Sequence, residues 1–392
     1  MLQRIGKVLS SLARGVLAAT VGVAALAPAT VRAQGSETPT APRVYYMELN
    51  GEFGYDISQT PIREAMRDAR NQNADVVIIR IDTTPKHSEF ERLPDDKQNF
   101  DELFRAQDVL PIFTDEIRRE WTKKPRLVFW VKKAMGGGAF LPFVAPEIYM
   151  TSDARIGGIG GIGVMYGGTG DEVVRQKQYS LRMARAEGYF IAGGYDPKIV
   201  RAMAEPAYVL SYRLEGGRPV FLERLPERPD EFVLTTDEPD TMQAQVRGQT
   251  RSVLTLTADV ARAIGASKGT VDNLDDLLFQ LGLSRSHTMI NGRANRIMEG
   301  WKRDLELASK EILKGVEELA RASENQGGGN TFEARTQNRG KQIRQINDII
   351  ARLKRFGEAF GPRWHNENGV PPISQFEIQR EQLELQQLVD KK

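Results

Sequence analysis

Asp75-Val76-Val77-Ile78-Ile79-Arg80-Ile81 is the stretch on which the fold turns. It is a nearly unbroken β-branched run, which fits a strand covered on both faces, as in a parallel sheet. Upstream, Val44-Tyr45-Tyr46-Met47-Glu48-Leu49 reads as a second strand, closed by the Asn50-Gly51 turn. Between the two, Thr60 to Asn71 reads as an amphipathic helix. Thr60 is placed to cap it, Pro61 suits its first turn, and Ile62, Ala65, Met66 and Ala69 recur at helical spacing. Downstream, residues 85–100 are polar and charged and read as a surface insertion. A helix is expected near Leu110 to Trp121, then a buried strand over Arg126-Leu127-Val128-Phe129-Trp130-Val131. Strand, helix, strand, helix, strand is the pattern of right-handed crossovers in one sheet.

Two glycine clusters follow. Met135-Gly136-Gly137-Gly138 leads into a helix expected from Ala139 to Ala145. A short strand over Glu147 to Met150 precedes Gly157-Gly158-Ile159-Gly160-Gly161. A glycine turn at a helix N-terminus offers backbone N–H groups to an anion or a developing oxyanion. The plainer alternative is that these glycines let helix and sheet pack closely. Neither cluster continues into the Gly-Lys-Ser/Thr of a phosphate loop or forms a dinucleotide fingerprint, and no Gly-x-Ser-x-Gly elbow occurs in the segment.

Composition narrows the function classes. Lys+Arg number 54 and Asp+Glu 52, so a net charge of +2 argues against the basic footprint of a nucleic-acid binder. The absence of cysteine excludes disulfides, thiolate metal sites and cysteine nucleophiles. His87, His287 and His365 lie far apart without metal-ligand spacing, and His87 and His365 sit in polar stretches as solvated residues. No cofactor is implied. At the N-terminus, Arg4, Lys7 and Arg14 precede an apolar run from Gly15 to Val31 that closes on Val31-Arg32-Ala33. This is the pattern of a secretory signal peptide, with an uncleaved anchor as the alternative. Gln34 to Arg43 reads as a polar linker, and no apolar run of spanning length follows residue 44.

From Arg285 the pattern becomes helical. Ile297, Trp301, Leu305, Ala308, Ile312, Val316 and Leu319 form one apolar stripe, fit for a coiled-coil seam or a helix packed on the domain. Asn325 to Asn330 is a glycine-rich break. Ile343, Ile346, Ile350, Leu353 and Phe360 mark a second helix, ended by Gly361-Pro362, and a last helix runs from about Ser374 to Lys392.

Three segments together resemble the NfeD-like branch of the ClpP-class serine proteases, related to signal peptide peptidases. They are Ala74 to Thr83, where the family strand ends in Asp-Thr-Pro-Gly-Gly, and Gly136 to Ile156, which is similar to the family's nucleophile segment. The third is Leu254-Thr255-Leu256-Thr257-Ala258-Asp259-Val260-Ala261 with Gly265 and Val271 to Leu283. The resemblance covers roughly residues 44–283 and implies a serine nucleophile, a buried lysine base and a backbone oxyanion hole. Carried over, the nucleophile position falls on Gly136, which has no side chain. The oxyanion glycines fall on Pro85 and Lys86, and proline has no N–H to donate. The base position falls on Lys177. Gly137 and Gly138 are candidate oxyanion or peptide-backbone contacts. Ser152, which reads as a turn residue, and Ser180, at helical spacing from Lys177, are the displaced serines that would restore activity. Crotonases share the fold, and Ala134 to Phe140 is similar to one arm of their thioester oxyanion hole.

The expected architecture is therefore α/β, a ClpP/crotonase-like spiral of ββα units with an α-helical C-terminal extension. Its expected parts are a signal peptide or anchor (1–33), a linker (34–43), the α/β domain (44–284) and a helical extension (285–392), either a coiled coil or a hairpin packed on the domain. The expected function is an exported, catalytically silent protease relative. It would bind a peptide or protein, self-associate as a homo-oligomer, and meet the membrane through its N-terminus. The alternatives are an active serine–lysine endopeptidase with a relocated serine, or a crotonase-like thioester enzyme.

Overall fold

The computed structural model describes residues 41–83, 102–159, 171–205, 208–235, 253–324 and 331–390. The predicted insertion at 85–100, Pro85, Lys86, His87, Gly160, Gly161 and the 325–330 break lie outside the described residues, as do residues 1–40.

Four parallel strands form the centre: β1 (Arg43–Gly51), β2 (Val76–Thr83), β3 (Arg126–Met135) and β4 (Glu147–Gly157). They lie side by side in chain order, so each crossover advances one strand in the same direction. The crossovers are α1 (Gln59–Asn71), then α2 (Glu102–Pro111), which runs through a π turn at Ile112–Glu116 into α3 (Ile117–Glu120), and finally the glycine turn. Beyond β4 come α4 (Glu172–Gly193) and α5 (Pro197–Ala204), then a separate antiparallel sheet in the order β6-β5-β7. Its strands are β5 (Leu210–Glu215), β6 (Arg218–Leu222) and β7 (Phe232–Thr235). The chain returns with β8 (Thr255–Thr257), antiparallel to β4, then α6 (Ala258–Ala263), β9 (Gly269–Thr270) and α7 (Leu274–Gln280). The short β10 (Thr288–Met289) pairs with the far edge of β1. The helical region is α8 (Ala294–Glu324), α9 (Phe332–Arg355), α10 (Pro362–Asn368) and α11 (Ile373–Asp390). The α/β class with a parallel sheet and a helical C-terminal region is as expected.

Burial explains the β-branched run. In β2, Val77, Ile79 and Ile81 enter the main core with α1 and α2, whereas Val76 and Ile78 face Leu277, Leu278 and Leu281 on α7's side. Side chains alternate across a strand, so a strand packed on both faces needs apolar residues at successive positions. Each fully buried aliphatic side chain contributes about 1.5–3 kcal/mol.

Several local expectations are corrected. The second crossover helix begins at residue 102, not 110, and passes through a π turn. The helix expected at 139–145 is two 3₁₀ turns, Gly136–Phe140 and Pro142–Val144, because Pro142 interrupts any longer ladder. β4 runs on to Gly157, so Ser152 is an exposed strand residue whose N–H donates to Asp272 Oδ1 (2.7 Å), not a turn residue. Ser58, not Thr60, occupies the N-cap of α1, and its hydroxyl donates instead to Tyr55 O. The Thr60 N–H is met by the Glu358 carboxylate from the far end of the chain (3.1 Å). His365 is half-buried with its Nδ1 3.0 Å from Val370 O, so it is a helix-end residue and not a freely solvated one.

The helical region packs back on the sheet. Ala294 and Met298 at the start of α8 join the main core, and Trp301 Nε1 donates to Tyr55 O (3.0 Å). Buried Asp68 on α1 accepts the Tyr45 hydroxyl (2.8 Å) and the Arg293 N–H and Nε (2.8 and 3.0 Å). Further out, Leu305, Ile312, Ile346, Ile350 and Leu353 form a second core among α8, α9 and α11.

Candidate functional site

The carboxyl ends of β2, β3 and β4 converge on the two glycine clusters, the place where open parallel sheets commonly hold ligands. Gly136, Gly137 and Gly138 are all buried and begin the first 3₁₀ turn directly after β3. Gly136 has φ +61, the left-handed region that disfavours a side chain. Gly138 lies against Thr83 at the end of β2: a Cβ there would stand 2.6 Å from Thr83 Cγ2. The Thr83 hydroxyl is fully engaged, accepting the Met135 N–H (3.0 Å) and donating to Lys133 O (3.3 Å). It fastens the ends of the two strands.

The second cluster forms the adjoining floor. Met135 pairs with Gly157 across the sheet, and the Gly158 N–H donates to Leu254 O (3.0 Å). A Cβ on Gly157 would meet Leu254 O at 2.4 Å, and one on Gly158 would meet Met135 Cε at 2.8 Å. The glycines are therefore required for close packing of β3, β4 and the Leu254–Thr255 segment. Gly137 is likewise engaged in an interaction. The plainer reading of the glycine clusters accounts for Gly138, Gly157 and Gly158 directly.

Among the described residues, the charges around the site are paired or exposed. Lys132, one turn of strand before the glycines, pairs with Asp82 (2.9 Å), and this hydrogen bond followed by the charge of Asp82 raises its pKa. A catalytic lysine needs the opposite shift. Nearby Asp153 accepts the Thr151 hydroxyl (2.7 Å), which with the surrounding cations lowers its pKa. Lys177 lies in the first half of α4 and is exposed. Ser180, one turn on, is exposed as well. α4 reaches the glycine turn through its other face and its later turns, where Phe190 stacks on Phe143 (4.1 Å) and meets Phe140 edge-on (6.4 Å). Gly136, Gly137 and Gly138 are thus brought together with Thr83, Gly157 and Gly158, while Lys177 and Ser180 point to solvent. Thr83 was the residue missed from the sequence, although its place at the end of the decisive strand marks it. Among the described residues no cluster of His, Asp and Glu could hold a metal ion.

Comparison with known proteins gives a distant relationship. No family model matches the chain. Membrane protein NfeD1b of Bacillus subtilis (strain 168) is 24% identical over 273 residues, which is 70% of this chain and 48% of that protein. The chain thus spans about half the length of the curated relative it matches. Among solved structures, it resembles the 1510-N membrane protease specific for a stomatin homolog from Pyrococcus horikoshii. That match has 12% identity and a TM-score of 0.34, covering 62% of this chain and 79% of that one. An enoyl-CoA hydratase from Polaromonas sp. JS666 matches with 14% identity and a TM-score of 0.27, covering 79% and 88%. The sequence relationship supports the NfeD-like family. No helix among the described residues is long and apolar enough to cross a membrane.

Proposed function

We propose that this relative of the NfeD-like membrane proteins is an exported, catalytically silent protease homologue that binds extended peptide segments at the carboxyl end of its parallel sheet. One feature carries the reading: the sequence resemblance puts the family's serine position on Gly136, which is buried at the head of the turn after β3 and has no side chain to attack a carbonyl. The exposed Lys177 and the paired Lys132 support it, since neither is desolvated as a general base must be. Export rests on the N-terminal charge and hydropathy pattern, and membrane association on that pattern together with the nature of the relative. What remains is a strand-lined floor with half-buried Thr255 beside Gly157 and Gly158, suited to a backbone lying along it.

The test is fluorophosphonate labelling of the purified full chain, followed by titration with a library of extended apolar peptides. The wild-type protein is expected to remain unlabelled while retaining peptides, and Thr255→Trp, which fills the floor, is expected to release them. Stoichiometric labelling of any serine would overturn the silent reading. Retention unaffected by Thr255→Trp would move the binding site elsewhere.

A further inference from the structure

Helix α4 turns Tyr179, Met183, Ala186, Phe190 and Gly193 to the domain, and its outer seam, with Leu181, Gly188 and Ile191, is exposed. Between the later half of that helix and the α2–α3 segment lies a cleft of about 450 Å³, large enough for a small-molecule ligand. Gly188 forms part of its wall. Its φ is not positive, and nothing lies within 4 Å of a Cβ placed there. Neither backbone geometry nor packing therefore calls for a glycine, which weakens a helix interior relative to alanine. What the missing side chain does is keep the cleft open.

The cleft gathers polar groups that the fold itself leaves unmatched. Arg118 on α3 and Arg185 on α4 line its two walls, and Asp115 stands with them on the π turn, a rare element that recurs at functional sites. Among the described residues none of these three charges has an ion-pair partner, and the Arg185 side chain makes one long hydrogen bond, from Nη1 to Gln107 Oε1 (3.4 Å). Gln107 also lines the cleft, and its Nε2 is buried without an acceptor, a condition that calls for an explanation. Tyr189 is half-buried there, and burial raises the pKa of its hydroxyl, which stays a donor. Two guanidinium groups against one carboxylate leave the cleft positive. Guanidinium forks match the oxygens of phosphate and carboxylate groups.

We propose that this cleft binds a small molecule carrying a phosphate or carboxylate group and, beside it, a hydroxyl or ammonium donor. Arg118 and Arg185 take the anionic oxygens from the two walls, Gln107 and Tyr189 donate to the same group, and Asp115 accepts from the neighbouring donor. The site stands apart from the peptide-binding reading, because none of the glycine floor takes part in it.

Calorimetric titration of the full chain with glycerol 3-phosphate and with glycerate tests this, since the two share a hydroxylated carbon chain and differ in the anion. At least one is expected to bind saturably while glycerol does not, and the tighter of the two names the anionic group. Arg118→Gln and Arg185→Gln should each weaken binding about tenfold or more, the usual effect of losing a charge-assisted hydrogen bond. Gly188→Leu, which fills the cleft and strengthens the helix, should abolish binding with the melting point intact or raised. Asp115→Ala should tighten inorganic phosphate by removing a like charge, yet weaken the ligand whose hydroxyl it accepts. Binding of neither anion at millimolar concentration, or binding indifferent to Gly188→Leu and to both arginine variants, would overturn the proposal. An Asp115→Ala chain that treats inorganic phosphate and the hydroxylated ligand alike would overturn the donor requirement.

Discussion

Thr83 and Gly138 show how one hydroxyl and one missing carbon hold the glycine floor together. The threonine fastens the ends of β2 and β3 through Met135 and Lys133, and its methyl fills the space that a side chain at 138 would need. Gly138→Ala is expected to cost about 1–3 kcal/mol of stability through overpacking. In the background of Thr83→Ser, which keeps the hydroxyl and removes the methyl, the same substitution should cost much less. Urea unfolding of the two single variants and the double variant measures this coupling. Additive losses would show that the clash lies elsewhere. At Gly136 the cause is different: its φ of +61 is a backbone condition, and any L-residue placed there bears about 1–2 kcal/mol of strain before chemistry begins.

The elements are joined by charges whose pH responses run in opposite directions. The start of α1 lacks a side-chain cap of its own, and Glu358, which follows α9, takes the N–H of Thr60. Burial raises the pKa of this carboxyl, outweighing the hydrogen bonds from Thr60 and the charge of Arg63, while Asp108 adds to the rise. The stability that its neutral form allows is complete below the ordinary glutamate pKa of about 4.3 and is lost as pH rises through the raised value. Glu358→Gln keeps an acceptor for Thr60 and cannot ionise. Its melting temperature is expected to exceed the wild type by a margin that opens as pH rises from the acid range to neutrality. Parallel curves would refute burial as the cause.

At the scale of the molecule, one buried carboxylate ties the helical region to the sheet. Burial opposes ionisation of Asp68, but the Arg293 N–H, the Tyr45 hydroxyl and the Arg293 guanidinium together hold its pKa below the usual carboxylate range. This group contributes stability above its unfolded pKa of about 3.9, and the contribution is lost as pH falls through the depressed folded value. Asp68→Asn should cost about 1.5–3 kcal/mol at neutral pH and progressively less in acid, read by denaturant unfolding at several pH values. A loss independent of pH would mean that packing, and not the ion pair, joins α8 to α1.

The sequence by itself determined the parallel sheet, because strands covered on both faces must be apolar at successive positions, and β2 and β3 show that directly. It also marked the helical region by its 3.6-residue stripe. The 3₁₀ turns after β3 were legible in Pro142, whereas short-range patterning could not reveal the strand character of Ser152, whose N–H is met by Asp272 far along the chain. Thr83 against Gly138, Glu358 capping α1 and the exposed outer seam of α4 depend on which faces the folded chain covers. Periodicity reports that a helix has an apolar face, whereas only tertiary packing decides which of two such faces remains open.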